Sequence, residues 1–212
     1  VQMQRGLEAG SLAVGVGPAM AESYVTEALG TLAQDHPGVR LEVRVDHWKQ
    51  LLDWLIAGEL DMLIADLADA LLDNRFVTKP LPPQEFIWFC RRGHPLSDKS
   101  NVTRKELIQY PLATPRMPPW ALQWFAEVMA EDGTPQIALP TIQCESYSVL
   151  KRIVLGSQCV SGALARTIQP ELENSLLTTL SVDAPKLQTN AGIVQMRKRT
   201  PSPLAVAFTE RI

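Results

Sequence analysis

Apolar and polar positions alternate with a period of two at Val39, Leu41, Val43 and Val45. That period belongs to a half-buried strand, and the turn residues His36, Pro37 and Gly38 precede it. The period then changes. Leu51, Leu52, Leu55 and Ile56 recur three and four apart, which predicts one face of a helix, and Gly58 follows as its C-cap. Met62, Leu63, Ile64 and Ala65 run apolar without alternation, as in a strand covered on both faces. Two strands joined by one helix in so short a span form a right-handed βαβ unit of a parallel sheet. In such sheets ligands sit beyond the carboxyl ends of the strands, which points to Asp46-His47 and Asp66-Leu67.

The same reading extends along the chain. Residues 12–16 form a first strand, and Gly17-Pro18 ends it and opens a helix. Tyr24, Val25, Ala28, Leu29 and Leu32 make that helix's apolar face, with Gly30 either tolerated inside it or there to admit another helix. Residues 67–77 read as loop with a short helical piece, and Pro80, Pro82 and Pro83 mark a break. Residues 86–90 are a strand that His94-Pro95 closes. Thr103 to Glu106 is a capping box. Strands are predicted over 112–114, 141–143, 159–164, 177–182 and 191–196. A helix over 120–129 carries Ala121, Trp124, Phe125, Val128 and Met129 on one face, and Gly133 stops it. Ser146 caps a helix over 147–155 that Gly156 closes, and Gly162 allows close backbone approach at a strand end. Ser202-Pro203 starts a terminal helix over 204–212.

Charge and chemistry narrow the classes. The 212 residues carry a net charge of −3 and are 46% hydrophobic, enough for a sizeable core and too acidic for a nucleic-acid footprint. No signal peptide and no membrane-spanning apolar run is present. Cys90, Cys144 and Cys159 are odd in number and lack metal spacing, which fits buried thiols in a reducing cytosol. There is no nucleophile elbow, phosphate-binding lysine loop or HExxH. Gly15-x-Gly17 begins like a dinucleotide fingerprint but lacks the third glycine. His36 and His94 precede prolines as turn residues, and His47 at a strand end is a polar cap or ligand contact with no partner suggested for base catalysis. Asp66 and Glu145 are either a carboxylate pair or caps. The chain is read as no enzyme, with no cofactor and no metal.

HPGVRLEV followed by LLDWLIAGELDMLIAD resembles the effector-binding domain of LysR-type transcriptional regulators. Gly10 to Gly15, His94-Pro95-Leu96, Glu106-Leu107 before Tyr110-Pro111, and Glu145-Ser146 leading to Leu150 through Gly156 agree in order and register. The resemblance implies an α/β fold of two Rossmann-like subdomains joined by two crossover strands, the type 2 periplasmic-binding-protein-like shape. Its expected bounds are 10–85 and 192–212 for subdomain I and 86–191 for subdomain II, with 1–9 a residual linker. It implies a cytoplasmic small-molecule sensor that controls a DNA-binding transcription factor. DNA contact is expected only through an N-terminal winged helix-turn-helix absent from this chain. A solute-binding protein of a transporter is the alternative, and an enzyme on the same fold a third class.

The expected effector pocket lies in the cleft between the subdomains, where strand carboxyl ends meet. Its candidates are Pro18, Ala19, Met20, His47, Trp48, Asp66, Thr114, Pro115, Ser146, Ser161 and Gly162, whose hydroxyls, helix N-terminus and apolar surface suit a small organic effector such as a carboxylic acid. The resemblance also implies a homodimer, and a tetramer in the full-length protein. Tyr24, Val25, Ala28, Leu29 and Leu32 on one helix and Val149, Leu150 and Ile153 on the other are the expected interface, being more apolar than one sheet contact requires. No membrane partner is expected.

Overall fold

The computed structural model describes residues 9–130 and 140–212, with the side chains of Tyr24, Met129 and Ala130 outside that description, as are Gly133 and all of the expected linker but Ala9. The chain runs β1 (Ser11–Val16), α1 (Pro18–Ala21), α2 (Tyr24–Asp35), β2 (Arg40–Val45), α3 (Trp48–Ala57), β3 (Met62–Asp66), α4 (Ala68–Leu71) and β4 (Phe76–Pro80). It continues through β5 (Phe86–Arg91), α5 (Arg104–Leu107), β6 (Ala113–Thr114), α6 (Pro119–Ala130), β7 (Ile142–Gln143), α7 (Tyr147–Leu155), β8 (Ser161–Leu164), α8 (Ala165–Glu173) and β9 (Leu177–Leu180). It ends with β10 (Ala191–Met196) and α9 (Pro203–Thr209). Two compact units result: the described residues up to Pro83 with Asn190–Ile212, and Gln84–Thr189.

The first unit holds a five-stranded sheet in the order β2-β1-β3-β10-β4. β2, β1 and β3 are parallel, and β10 runs antiparallel to β3 and β4. Leu12, Val14 and Val16 point to one face of β1 and are buried there, where α9 packs on β1 and α2. On the other face α3 inserts Leu51, Leu52 and Leu55 into a cluster with Leu60, Leu63, Ala65 and Val194. Gly15 makes this approach possible, because a Cβ there would lie 2.6 Å from Leu60 Cδ1 and 2.9 Å from Leu51 Cδ2. The Gly58 C-cap takes φ 77°, the left-handed conformation that glycine adopts without a Cβ penalty.

Several expectations change in this unit. Ile56, expected on the buried face of α3, is 40% exposed. β2 is an edge strand, and Val43 and Val45 stand 43% and 45% exposed although the alternation predicts burial. They share the face of Val14 and Val16 by direct pairing, but no element of the described chain covers that edge. The opposite face of β2 is tied down by Arg44, whose guanidinium lies over Trp54 and pairs with Glu42 and Glu59. β4 is a strand where loop was predicted. It is short, sits at the other edge and ends in Pro80, which an edge position tolerates. Gly30 admits no neighbour, since nothing lies within 4 Å of where its Cβ would stand.

The expected partner surface is corrected as well. Val25, Ala28, Leu29 and Leu32 are buried in the chain's own core, as is Leu150 on α7, so these five offer a partner almost nothing. Ile153 is half-buried and Val149 is 45% exposed. Tyr24 begins α2, and its side chain is among those not described. The inference from a wide apolar face fails because α2 also meets α1 and α9.

The second unit has β5 at the centre of the antiparallel order β8-β5-β9. β6 and β7 pair in parallel, and bridges from Leu112 to Val160 and from Val102 to Val182 extend the sheet at both sides. One face packs Cys90, Leu112, Val160, Leu180 and Phe125 of α6. The Thr103–Glu106 capping box forms as read, with Lys99 also pairing with Glu106. α8 is not predicted: its apolar positions Ala165, Ile168 and Leu172 are sparse among polar residues, and Pro170 lies within it. His94 is 2% exposed, accepts from Leu96 N through Nδ1 at 3.1 Å and meets Gln158 O through Nε2 at 3.2 Å. Its ring stands edge-on to Tyr110, 4.4 Å between centroids. This pair of contacts needs the neutral ring, protonated at Nε2 alone.

Two outcomes follow from this packing. Gly15→Val should lower the unfolding free energy by about 1–3 kcal/mol through overpacking against Leu51 and Leu60, read by denaturant titration. Burial, ahead of nearby Arg91, holds the His94 pKa below its ordinary value of 6.5, against the opposing pull of the Gln158 carbonyl. The stability that this shift contributes is therefore present above the ordinary value. It is lost as pH falls from there through the lower folded value, because the unfolded chain takes up the proton first. Thermal melts across that window should show the loss, and His94→Gln should flatten it.

Candidate functional site

In the first unit the carboxyl ends of β1, β2 and β3 each lead straight into a helix. Gly17 follows β1 and donates to Ile64 O at 2.8 Å, and a Cβ on it would stand 3.3 Å from Ala65 Cβ. Pro18 takes the first turn of α1, where a missing N–H costs nothing. Asp46 Oδ1 accepts from His47 N at 2.8 Å, and His47 Nδ1 accepts from Gln50 N at 3.3 Å as the N-cap of α3. Asp66 Oδ1 accepts from Ala68 N at 2.9 Å and so turns the chain into α4.

The structure thus brings Pro18, Ala19, His47 and Asp66 to one end of one sheet, all half-buried. Met20 and Trp48 depart from expectation. Met20 is 2% exposed and belongs to the core. Trp48 is 8% exposed, packs in the core under α3 and donates its indole N–H to Asp69 Oδ2 at 2.8 Å. Both are packing residues because they sit on the inner side of their helices.

In the second unit Thr114 ends β6, and Thr114 O accepts from Cys144 N at 3.1 Å beyond β7. Glu145 Oε1 accepts from Arg116 N at 3.1 Å. Ser146 is the N-cap of α7, accepting from Val149 N at 3.4 Å. Thr114, half-buried Pro115, Glu145 and Ser146 therefore gather around two adjoining turns. Thr114 Oγ1 and Glu145 Oε2 are buried there without a hydrogen-bond partner. Glu145 was read as a carboxylate or a cap, and one of its oxygens does hold a backbone amide, as Asp66 does in the first unit.

Ser161 stands apart from Thr114. Leu112 pairs with Val160, so alternation puts Thr114 on the face of Leu112 and Ser161 on the opposite one, paired with Phe89. Ser161 is fully buried and its Oγ also lacks a partner. Gly162 does not sit in a close approach. A Cβ there would meet the Trp88 ring at 3.9 Å, an ordinary contact, and Gly162 O accepts from Tyr147 Oη at 3.1 Å.

Redox or metal chemistry finds little to build on here. Burial pushes the Cys90 thiol up to about 11, against a small opposing effect of Arg91, which keeps it protonated and unreactive. Cys159 is buried and Cys144 half-buried. Among the described residues no group of three or more His, Cys, Asp or Glu could hold a metal ion. No helix among them is long and apolar enough to cross a membrane.

Two α/β units crossed twice by one chain, with open strand ends, make a type 2 periplasmic-binding-protein-like fold. Residues 5–212 match the LysR substrate binding domain family model, and the chain belongs to that family of effector-binding domains of transcriptional regulators. It is 34% identical, over 95% of its length, to the "SDS degradation transcriptional activation protein" of Pseudomonas sp. (strain ATCC 19151). The chain spans 66% of that protein's own length. Among solved structures, the cofactor-binding domain of the Cbl transcriptional regulator aligns with a TM-score of 0.77 at 19% identity, covering 96% of this chain and 87% of that one. The effector-binding domain of QuiR in complex with shikimate aligns with a TM-score of 0.74 at 16% identity, covering 96% and 95%. These two likenesses establish the fold.

Proposed function

We propose that this domain senses an alkyl sulfate or the alcohol made from one, and passes the signal to DNA through a separate winged helix-turn-helix domain of a cytoplasmic regulator. It turns over nothing itself. The observation that carries the reading is the 34% identity, along nearly the whole domain, to a regulator named for SDS degradation. SDS is the dodecyl ester of sulfuric acid. Apolar residues at the strand ends suit the alkyl part of such a ligand. Pro18, Ala19 and Pro115 are half-buried apolar surface, while Asp46, His47 and Asp66 each give one polar atom to a backbone amide. No arginine or lysine is among the proposed contacts, which remain Pro18, Ala19, His47, Asp66, Thr114, Pro115 and Ser146. A transporter's solute-binding protein would share the fold, but the family membership favours the regulator.

A homodimer completes the reading, with a tetramer in the full-length protein. The uncovered apolar face of β2, carrying Val43 and Val45, and Val149 on α7 are the surfaces we assign to it, each valine more than two-fifths exposed. β2 of one copy would lie on α7 of the other, twice in a two-fold pair.

Two measurements test these readings. Tryptophan fluorescence titrations of the chain with 1-octanol and octyl sulfate, both below any micellar range, should give saturable binding of at least one. Flat titrations with both would overturn the effector class. Light scattering should find a dimer, and Val45→Glu should convert it to a folded monomer, since charge in an apolar contact costs several kcal/mol, on the order of 2–5. A monomeric wild type, or a dimeric Val45→Glu, would sink the interface.

A further inference from the structure

The turns that follow β6 and β7 contain two unmet polar atoms at an open strand end, unlike the similar Thr167 and Glu171 pair, which lies along α8. Thr114 is 6% exposed and its Oγ1 has no partner. Glu145 stands two residues before the first residue of α7, a helix of nine residues, and its Oε2 is buried without a partner. The backbone holds the two residues on adjoining turns. Thr114 is in register with Gln143, Thr114 O accepts from Cys144 N at 3.1 Å, and Arg116 N reaches Glu145 Oε1 at 3.1 Å. Buried polar atoms are almost always hydrogen-bonded, and an orphan costs about 1–3 kcal/mol. A hydroxyl and a carboxylate oxygen, each without a partner, thus stand on adjoining turns, and one group that accepts from the first and donates to the second would serve both.

We infer that, if the effector is of the alkyl class proposed above, its recognised form is the alcohol, whose hydroxyl accepts from Thr114 Oγ1 and donates to Glu145 Oε2. An alcohol carries one donor and two acceptor lone pairs, so one group serves both orphans. A sulfate monoester has no hydrogen to donate, and its negative charge would face the Glu145 carboxylate. A fatty carboxylate fails in the same way. Hydrolysis of the ester, ROSO3− with water giving ROH and HSO4−, creates the missing donor. The domain is therefore placed after that step in the reaction sequence: the sulfatase class of reaction supplies its effector, and the unreacted ester does not.

The test compares 1-octanol, octyl sulfate and octanoate on the whole chain by fluorescence or calorimetric titration. Octanol should bind about tenfold or more tightly than either anion, the discrimination expected of hydrogen bonds to a charged group. Thr114→Val should weaken octanol about fivefold or more, with Thr114→Ser retaining it. Glu145→Gln should weaken octanol and strengthen octyl sulfate, reducing or reversing the preference. Equal affinities in the wild type, or tighter binding of octyl sulfate, would overturn the inference while the alkyl-effector reading stands. Binding of none of the three would overturn both. The wild-type comparison decides the matter even where a variant does not fold.

Discussion

The first unit depends on the absence of one side chain. β1 is the strand that pairs with both β2 and β3, so its two faces must carry two helical layers at once. Leu12, Val14 and Val16 serve the layer of α2 and α9. On the other face Gly15 leaves room for Leu51 and Leu60 to reach the sheet. Dense interiors yield little to an added methyl, so the position of α3 follows from Gly15. The position of α3 in turn fixes His47 and the turn that leaves β2.

Much of this arrangement is legible from periodicity. The strand, helix and strand from β2 to β3 read directly, because a switch of period from two to 3.6 is a large signal and Gly58 marks its end. The capping serine and threonine at Ser146 and Thr103 read equally well, since each needs only local chemistry. What periodicity misses is what lies on the other side of a face. β2 has the alternation of a buried strand and nothing of the described chain over Val43 and Val45. α2 has a wide apolar stripe and is buried all the same, because α1 and α9 pack on it. α8 is easily missed because few apolar residues mark its buried face, which includes Thr167, and Pro170 lies within it.

The strand ends were legible by position, and the roles of the side chains around them less so. The rule of strand carboxyl ends finds Pro18, His47, Asp66 and Thr114, since topology alone places them. It overreaches with Met20 and Trp48, which lie close in sequence but turn toward the core. It also groups Thr114 with Ser161, which the register Leu112 to Val160 sets on opposite faces. Glu145 illustrates the converse. A glutamate before a serine cap looks like ordinary helix-start chemistry, and one of its oxygens does that work at Arg116 N. That its second oxygen is buried and unmet depends on the turn between β6 and α6 folding over it, which no local pattern encodes.

The polar groups divide in a way that assigns selectivity. In the first unit Asp46, His47 and Asp66 are each committed to a backbone amide of the helix that follows. Their exchange for ligand contacts would cost the caps that end the strands, about 1 kcal/mol each. Those residues therefore shape a surface more readily than they discriminate between ligands. In the second unit Thr114 Oγ1 and Glu145 Oε2 have no such commitment. A ligand that satisfies them gains their full desolvation deficit, and one that cannot leaves it in place, the asymmetry by which buried polar groups reject a mismatched partner. On the proposal made above, the choice between ester, acid and alcohol rests on two atoms beside the start of α7.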